Sequence, residues 1–164
     1  MALKSNFDAG RIQKETQSQA EALYERILES FIRAGEKFIK AAREQMQDHA
    51  MGTYDDDTTN LRNSVGYLVY HNGESVFKNM DGKNTNVIGM AGLGESKVQD
   101  LINPRGFQLI GIAGMNYASW VEGNGYNVIS YQADVCLIDL AVYLEKLEVI
   151  EQGTAANLEE SFLP

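Results

Sequence analysis

The chain has little of what covalent and redox chemistry is usually built from. One cysteine and two histidines occur in 164 residues. The lone Cys136 cannot close an internal disulfide, so the fold should not depend on oxidising conditions and suits the cytosol. A free cysteine of this kind is ordinarily a small, inert core hydrophobe. Positive charge is also scarce: 14 basic residues stand against 23 acidic ones, for a net charge of −9. That balance argues against a protein that grips nucleic acid through its phosphates, which takes clustered Lys and Arg. It is compatible with a wall that nucleic acid slides past without sticking. No run approaches the roughly 20 apolar residues that span a bilayer. The opening residues lack the apolar core of a signal peptide, so the expectation is a soluble, unexported protein without membrane contact.

What is present is ordinary for a globular protein, at 44% hydrophobic and 23% charged residues. The length suits one domain with a sizeable core. Between about residues 11 and 50 there is no proline and one glycine, Gly35. Leu23, Ile27, Phe31, Ala34, Phe38, Ala42 and Met46 recur at three- and four-residue steps, and Tyr24, Leu28, Ile32 and Ile39 widen the stripe. This predicts one amphipathic helix, at roughly 50 Å longer than a compact domain of this size needs. Gly35 could admit a close neighbouring helix or mark a bend.

Residues 51–63 read as a loop and a short helix, with Thr58 or Thr59 as N-cap. Ser64–Tyr70 and Glu74–Met80 flank Asn72-Gly73, a strong hairpin signal, with Val65, Tyr67 and Val69 on one face. Residues 81–105 form a long Gly- and Asn-rich loop with a short helix near Ser96–Ile102, and such loops are often functional. Phe107–Ala113 is a strand. Tyr117, Trp120 and Val121 are expected to share a face of the helical turn that follows, before a corner framed by Gly123 and Gly125. A short strand at 127–129 precedes a second helix over about 131–152, capped by Ser130 and stopped by Gly153. An acidic arm, 153–164, closes the chain. The expected class is α+β: two helices packed on a small, mostly antiparallel sheet that contains the hairpin.

Catalytic and metal motifs fail when tested. An EF-hand loop beginning at Asp55 would set Asp55, Asp57, Thr59, Asn60 and Gly66 at its key positions, and three of the five are wrong. Gly89–Gly94 has neither dinucleotide-binding nor P-loop spacing. His49 and His71 lack partners at metal-ligand spacing, and no nucleophile elbow occurs. No catalytic, metal or cofactor site is expected. Tyr117 and Trp120 read either as core or as an intersubunit surface.

Two segments carry a resemblance. Asp57–Val65 resembles the D-T-G-x-L-R-x-S-I element of siphophage-type tail-component proteins, the neck or tail-completion family. Thr59 stands where that element has glycine. Asn116–Gly123 resembles the family's Y-A-x-Y-V-E-x-G element, with Trp120 in place of tyrosine. The order of elements over about residues 15–130 is also similar. The resemblance implies a non-enzymatic virion protein, made in the host cytoplasm and assembled as a ring of six or twelve copies at the head–tail junction. Such a ring would join portal-side connector components to the tail and line the DNA channel, with genomic DNA passing but not bound. It implies structural or intersubunit roles for Leu61, Arg62, Tyr117, Trp120 and Glu122. The competing expectation is a small soluble phage or bacterial binding module acting through the 81–105 loop.

Overall fold

The structure is a computed structural model and describes residues 8–46, 59–80, 98–115 and 117–160, with the backbone alone for 149–160. Its class is α+β, in agreement with the sequence. Helix α1 spans Ala9–Gln45, α2 Asn60–Asn63, α3 Ala118–Gly123 and α4 Ser130–Glu160. Strands β1 (Val65–His71), β2 (Glu74–Asn79) and β3 (Phe107–Ala113) form an antiparallel sheet in the order β2-β1-β3.

Helix α1 is 37 residues long, about 55 Å at the standard rise. It begins two residues before the expected start because Asp8 caps it, its Oδ1 accepting from the N–H groups of Gly10 (3.0 Å) and Arg11 (3.2 Å). It ends at Gln45 with Met46 as cap, short of residue 50. His49, Asp55–Asp57 and Gly89–Gly94 lie outside the described residues. Of the 81–105 loop, residues 98–105 are described, and the short helix expected there is a single 3-10 turn, Gln99–Leu101.

The core side of α1 is the predicted stripe: Phe31, Ala34, Phe38, Ile39, Ala42 and Met46 are all buried. They meet Val65, Tyr67 and Val69 of β1, which share one face as the alternation requires. The opposite face of β1 is buried too. Leu68 and Tyr70 pack with Ile110, Ile112 and Val98, so the central strand separates two apolar clusters. The hairpin turn forms on Asn72 and Gly73 with φ of 52° and 84°, as a two-residue primed turn demands.

Gly35 does admit a close neighbour, but it is a strand residue. A Cβ there would lie 2.6 Å from Cζ of Tyr67, so only glycine lets the ring lie flat on the helix. The Tyr67 hydroxyl then sits 2.9 Å from Glu36 Oε1 and 3.1 Å from the Ile32 carbonyl oxygen. Asn79 Nδ2 donates to the same Glu36 oxygen. Burial, then the Glu36 carboxylate, raises the Tyr67 pKa well above its ordinary value.

Helix α4 lies antiparallel along α1. Cys136 is buried, its thiol 3.5 Å from the Ala34 carbonyl oxygen, and burial pushes its pKa up to about 11. Lys37 Nζ bonds Asp139 at 2.8 Å, and the Arg33 guanidinium lies 5.6 Å from the centre of the Tyr143 ring. Two expectations about α4 are corrected. Gly153 does not stop the helix, which continues to Glu160 through a stretch first read as an acidic arm. An interior glycine costs roughly 1 kcal/mol relative to alanine, and Ala155, Ala156, Leu158, Glu159 and Glu160 are good helix formers that offset it. Nor does a strand form at 127–129, where an isolated bridge at Asn127 is all that appears.

Candidate functional site

The described parts of the two segments that carry the resemblance, 59–65 and 117–123, are far apart in sequence and meet at one end of the sheet. The register of β1 against β3 pairs Val65 with Ala113. The pairing continues one step outward, where the Gly114 N–H donates to the Ser64 carbonyl at 3.1 Å. The start of β1 and the end of β3 are therefore neighbours, and so are the turns attached to them. The C-terminal part of α1 closes this end. Arg43 donates to the Val65 carbonyl at 2.9 Å, Gln45 to the Asn127 carbonyl at 3.2 Å, and Gln132 to Gln45 at 2.8 Å.

Each expected contact residue has its own environment. Leu61 is fully buried and belongs to the same cluster as Ala118, Val121 and Val128. Thr59 occupies the N-cap position of α2, but its side chain does not cap the helix. Its backbone takes a φ of 58°, the left-handed region where glycine carries no steric penalty. This is the position at which the resembled element has glycine. Arg62 is half-buried and faces a cleft bounded by Glu36, Lys40, Arg43 and Glu44 of α1.

The expected shared face of Tyr117, Trp120 and Val121 is corrected. Tyr117 is half-buried against the core and Val121 is buried, whereas Trp120 is 67% exposed. The reason lies in the core above α3. Leu61 and Val128 draw Ala118 and Val121 inward, and a side chain one residue before Val121 is rotated about 100° away. Tyr117 thus takes the core reading and Trp120 the surface one. Tyr126 and Tyr131, which follow closely in the chain, are also exposed.

Glu122 is the organising residue of the corner. Its carboxylate accepts from the N–H groups of Val128 (3.1 Å), Ile129 (3.3 Å) and Ser130 (2.9 Å). Those of Ile129 and Ser130 are among the donors left over at the start of α4, and an anion there also meets the positive end of the helix dipole. The helix is therefore capped by Glu122 across the corner, and not by the Ser130 side chain. Gly125, at φ 86°, and Asn124, whose N–H and Nδ2 both donate to the Trp120 carbonyl, shape the turn between them. Arg62 and Glu122 do separate jobs, one facing the α1 cleft and the other holding α4.

Nothing in the sequence singles out Glu36 or Asp139; the fold brings Tyr67 and Asn79 to the first and Lys37 to the second. His71, considered for metal binding, instead packs with Phe107 at 4.4 Å and Tyr24 at 5.1 Å between ring centres. Among the described residues no group of His, Cys, Asp or Glu is arranged to hold a metal ion, and no helix is long and apolar enough to cross a membrane. Compared with protein-family models, curated proteins and solved structures, the chain gives no match.

Proposed function

We propose that this chain is a non-enzymatic structural protein of a tailed bacteriophage virion. Its copies form a homo-oligomeric ring at the head–tail junction, joining portal-side components to the tail and lining the channel through which DNA passes. The observation that carries the reading is the convergence of the two resembling segments at one end of the sheet, with Trp120 67% exposed there. Two details support it. Thr59 adopts the backbone conformation that suits the glycine of the resembled element. Glu122, the acidic position of the second element, holds the corner that presents Trp120 and Tyr126 outward. Exposed aromatics on a braced corner suit a protein interface. A ring requires a heterologous contact that closes, and the −9 charge of each copy suits a channel that does not retain DNA.

The test is assembly of heads and tails in the presence of Trp120→Ala and Arg62→Ala chains. Both variants are expected to fold and remain soluble while failing to join heads to tails. Full assembly by both contradicts the reading. A wild-type chain that stays monomeric with every head and tail component, yet shifts in thermal stability with a small ligand, would favour a binding module instead.

A further inference from the structure

Among the described residues, strand β3 forms an edge of the sheet with no strand beyond it. The bonds from Gly114 N–H to Ser64 and from Asn72 N–H to the Gly106 carbonyl fix the phase of the β1–β3 ladder. Even-numbered residues of β3 bond β1, so the N–H and C=O groups of Phe107, Leu109, Gly111 and Ala113 point the other way. Among the described residues none of these groups has a partner across that edge. Sheet edges of this kind are normally blunted by charge, proline or a bulge. Phe107-Gln-Leu-Ile-Gly-Ile-Ala113 has no charge and no proline, and its pairing with β1 runs without a register shift.

The edge also has a groove beside it. Helix α4 runs past β3 in the helix layer, and between them lies an apolar trough of about 280 Å³. Its floor is Phe31 and Phe38 of α1, its strand side Leu109 and Gly111, and its far wall Leu137 and Leu140 of α4. Leu137 is 68% exposed and stands beside exposed Ile138, so the wall continues into an apolar surface on α4. Gly111 lets the Phe38 ring pack directly on the strand, because that ring fills the space a side chain would take.

We propose that this groove binds a single extended segment of another polypeptide, which adds to the sheet as a fourth strand beside β3. Backbone hydrogen bonds to Leu109, Gly111 and Ala113 fix the segment, and its alternate apolar side chains enter the trough, the mode known as β-augmentation. The competing occupant, a second copy pairing edge to edge through β3, would show as self-association of the chain. The net charge of −9 favours a segment with basic flanks. The proposal does not depend on the ring reading.

The experiment titrates the purified full chain with a synthetic peptide, Lys-Lys-Thr-Val-Thr-Val-Thr-Val-Thr-Lys, up to millimolar concentration. Backbone amide shifts and hydrogen exchange are followed by NMR. Binding is expected, with the largest shifts and new protection at Leu109, Gly111 and Ala113. A peptide with its central valine replaced by proline should bind at least tenfold more weakly. Ala113→Pro removes one outward N–H at the strand end, and Leu137→Glu spoils the exposed wall. Each should weaken binding at least tenfold, whereas Ile138→Glu, on α4 but outside the trough, should leave it unchanged. The proposal is overturned by no binding at millimolar peptide, by binding that survives both groove variants, or by wild-type self-association that Ala113→Pro abolishes.

Discussion

Helices α1 and α4 pack against each other but are built on different patterns. Over its C-terminal half α1 carries one apolar stripe, and the sheet and α4 cover it: Phe31, Ala34, Phe38, Ile39 and Ala42 are all buried. Its polar side faces outward, as an amphipathic helix of a finished domain should. Helix α4 is apolar around most of its circumference. Cys136, Leu140, Tyr143 and Leu144 face α1, yet Leu137, Ile138, Val142 and Tyr131 look outward. A helix that is hydrophobic on all sides is ordinarily enclosed. The difference separates apolar surface that the described chain covers from apolar surface that it leaves exposed.

Substitutions on the two sides should therefore behave differently. The largest stability effect is expected at Gly35. Alanine is the better helix former by about 1 kcal/mol, but its methyl group would strike the Tyr67 ring, so Gly35→Ala should lose about 2 kcal/mol net in urea unfolding. A stabilised Gly35→Ala variant would break the picture of a tight α1–sheet contact. Next comes Glu122→Ala, which removes the cap of α4 and should cost about 1 kcal/mol in the same assay, with hydrogen exchange rising first at Val128–Ser130. Thr59→Gly relieves the left-handed strain and should gain about 0.5 kcal/mol, although glycine also loosens the unfolded chain. Smallest is Ile138→Glu on the outer face of α4, expected within about 0.5 kcal/mol of wild type. A large loss there would mean that the outer face already has a cover within the chain.

Much of this fold is written in short-range patterns. The α1 stripe, the Asn72-Gly73 turn and the alternation of Val65, Tyr67 and Val69 depend on neighbours within a few residues, and each forms where the spacing predicts. The misses share one cause, which is that the deciding partner is distant in sequence or that local propensity was overruled. Asp8 is a legible cap that went unused. By contrast, Glu122 caps α4 from across a corner, so Asn127–Ile129 resembled a strand and Ser130 a cap. Gly153 carries the C-cap signal, but the residues after it favour helix strongly enough to continue. Trp120 and Val121 are adjacent in sequence, and only the position of Leu61 and Val128 decides which one turns inward. The candidate site was legible as two segments, while their meeting depended on the β1–β3 register.

The most direct test of the account is a reconstruction of the assembled particle at a resolution that resolves side chains. The account predicts density for this chain as a closed ring at the head–tail junction, with Trp120 buried at the boundary between neighbouring subunits. A particle that lacks the chain at that junction, or a ring in which Trp120 faces solvent, would contradict it.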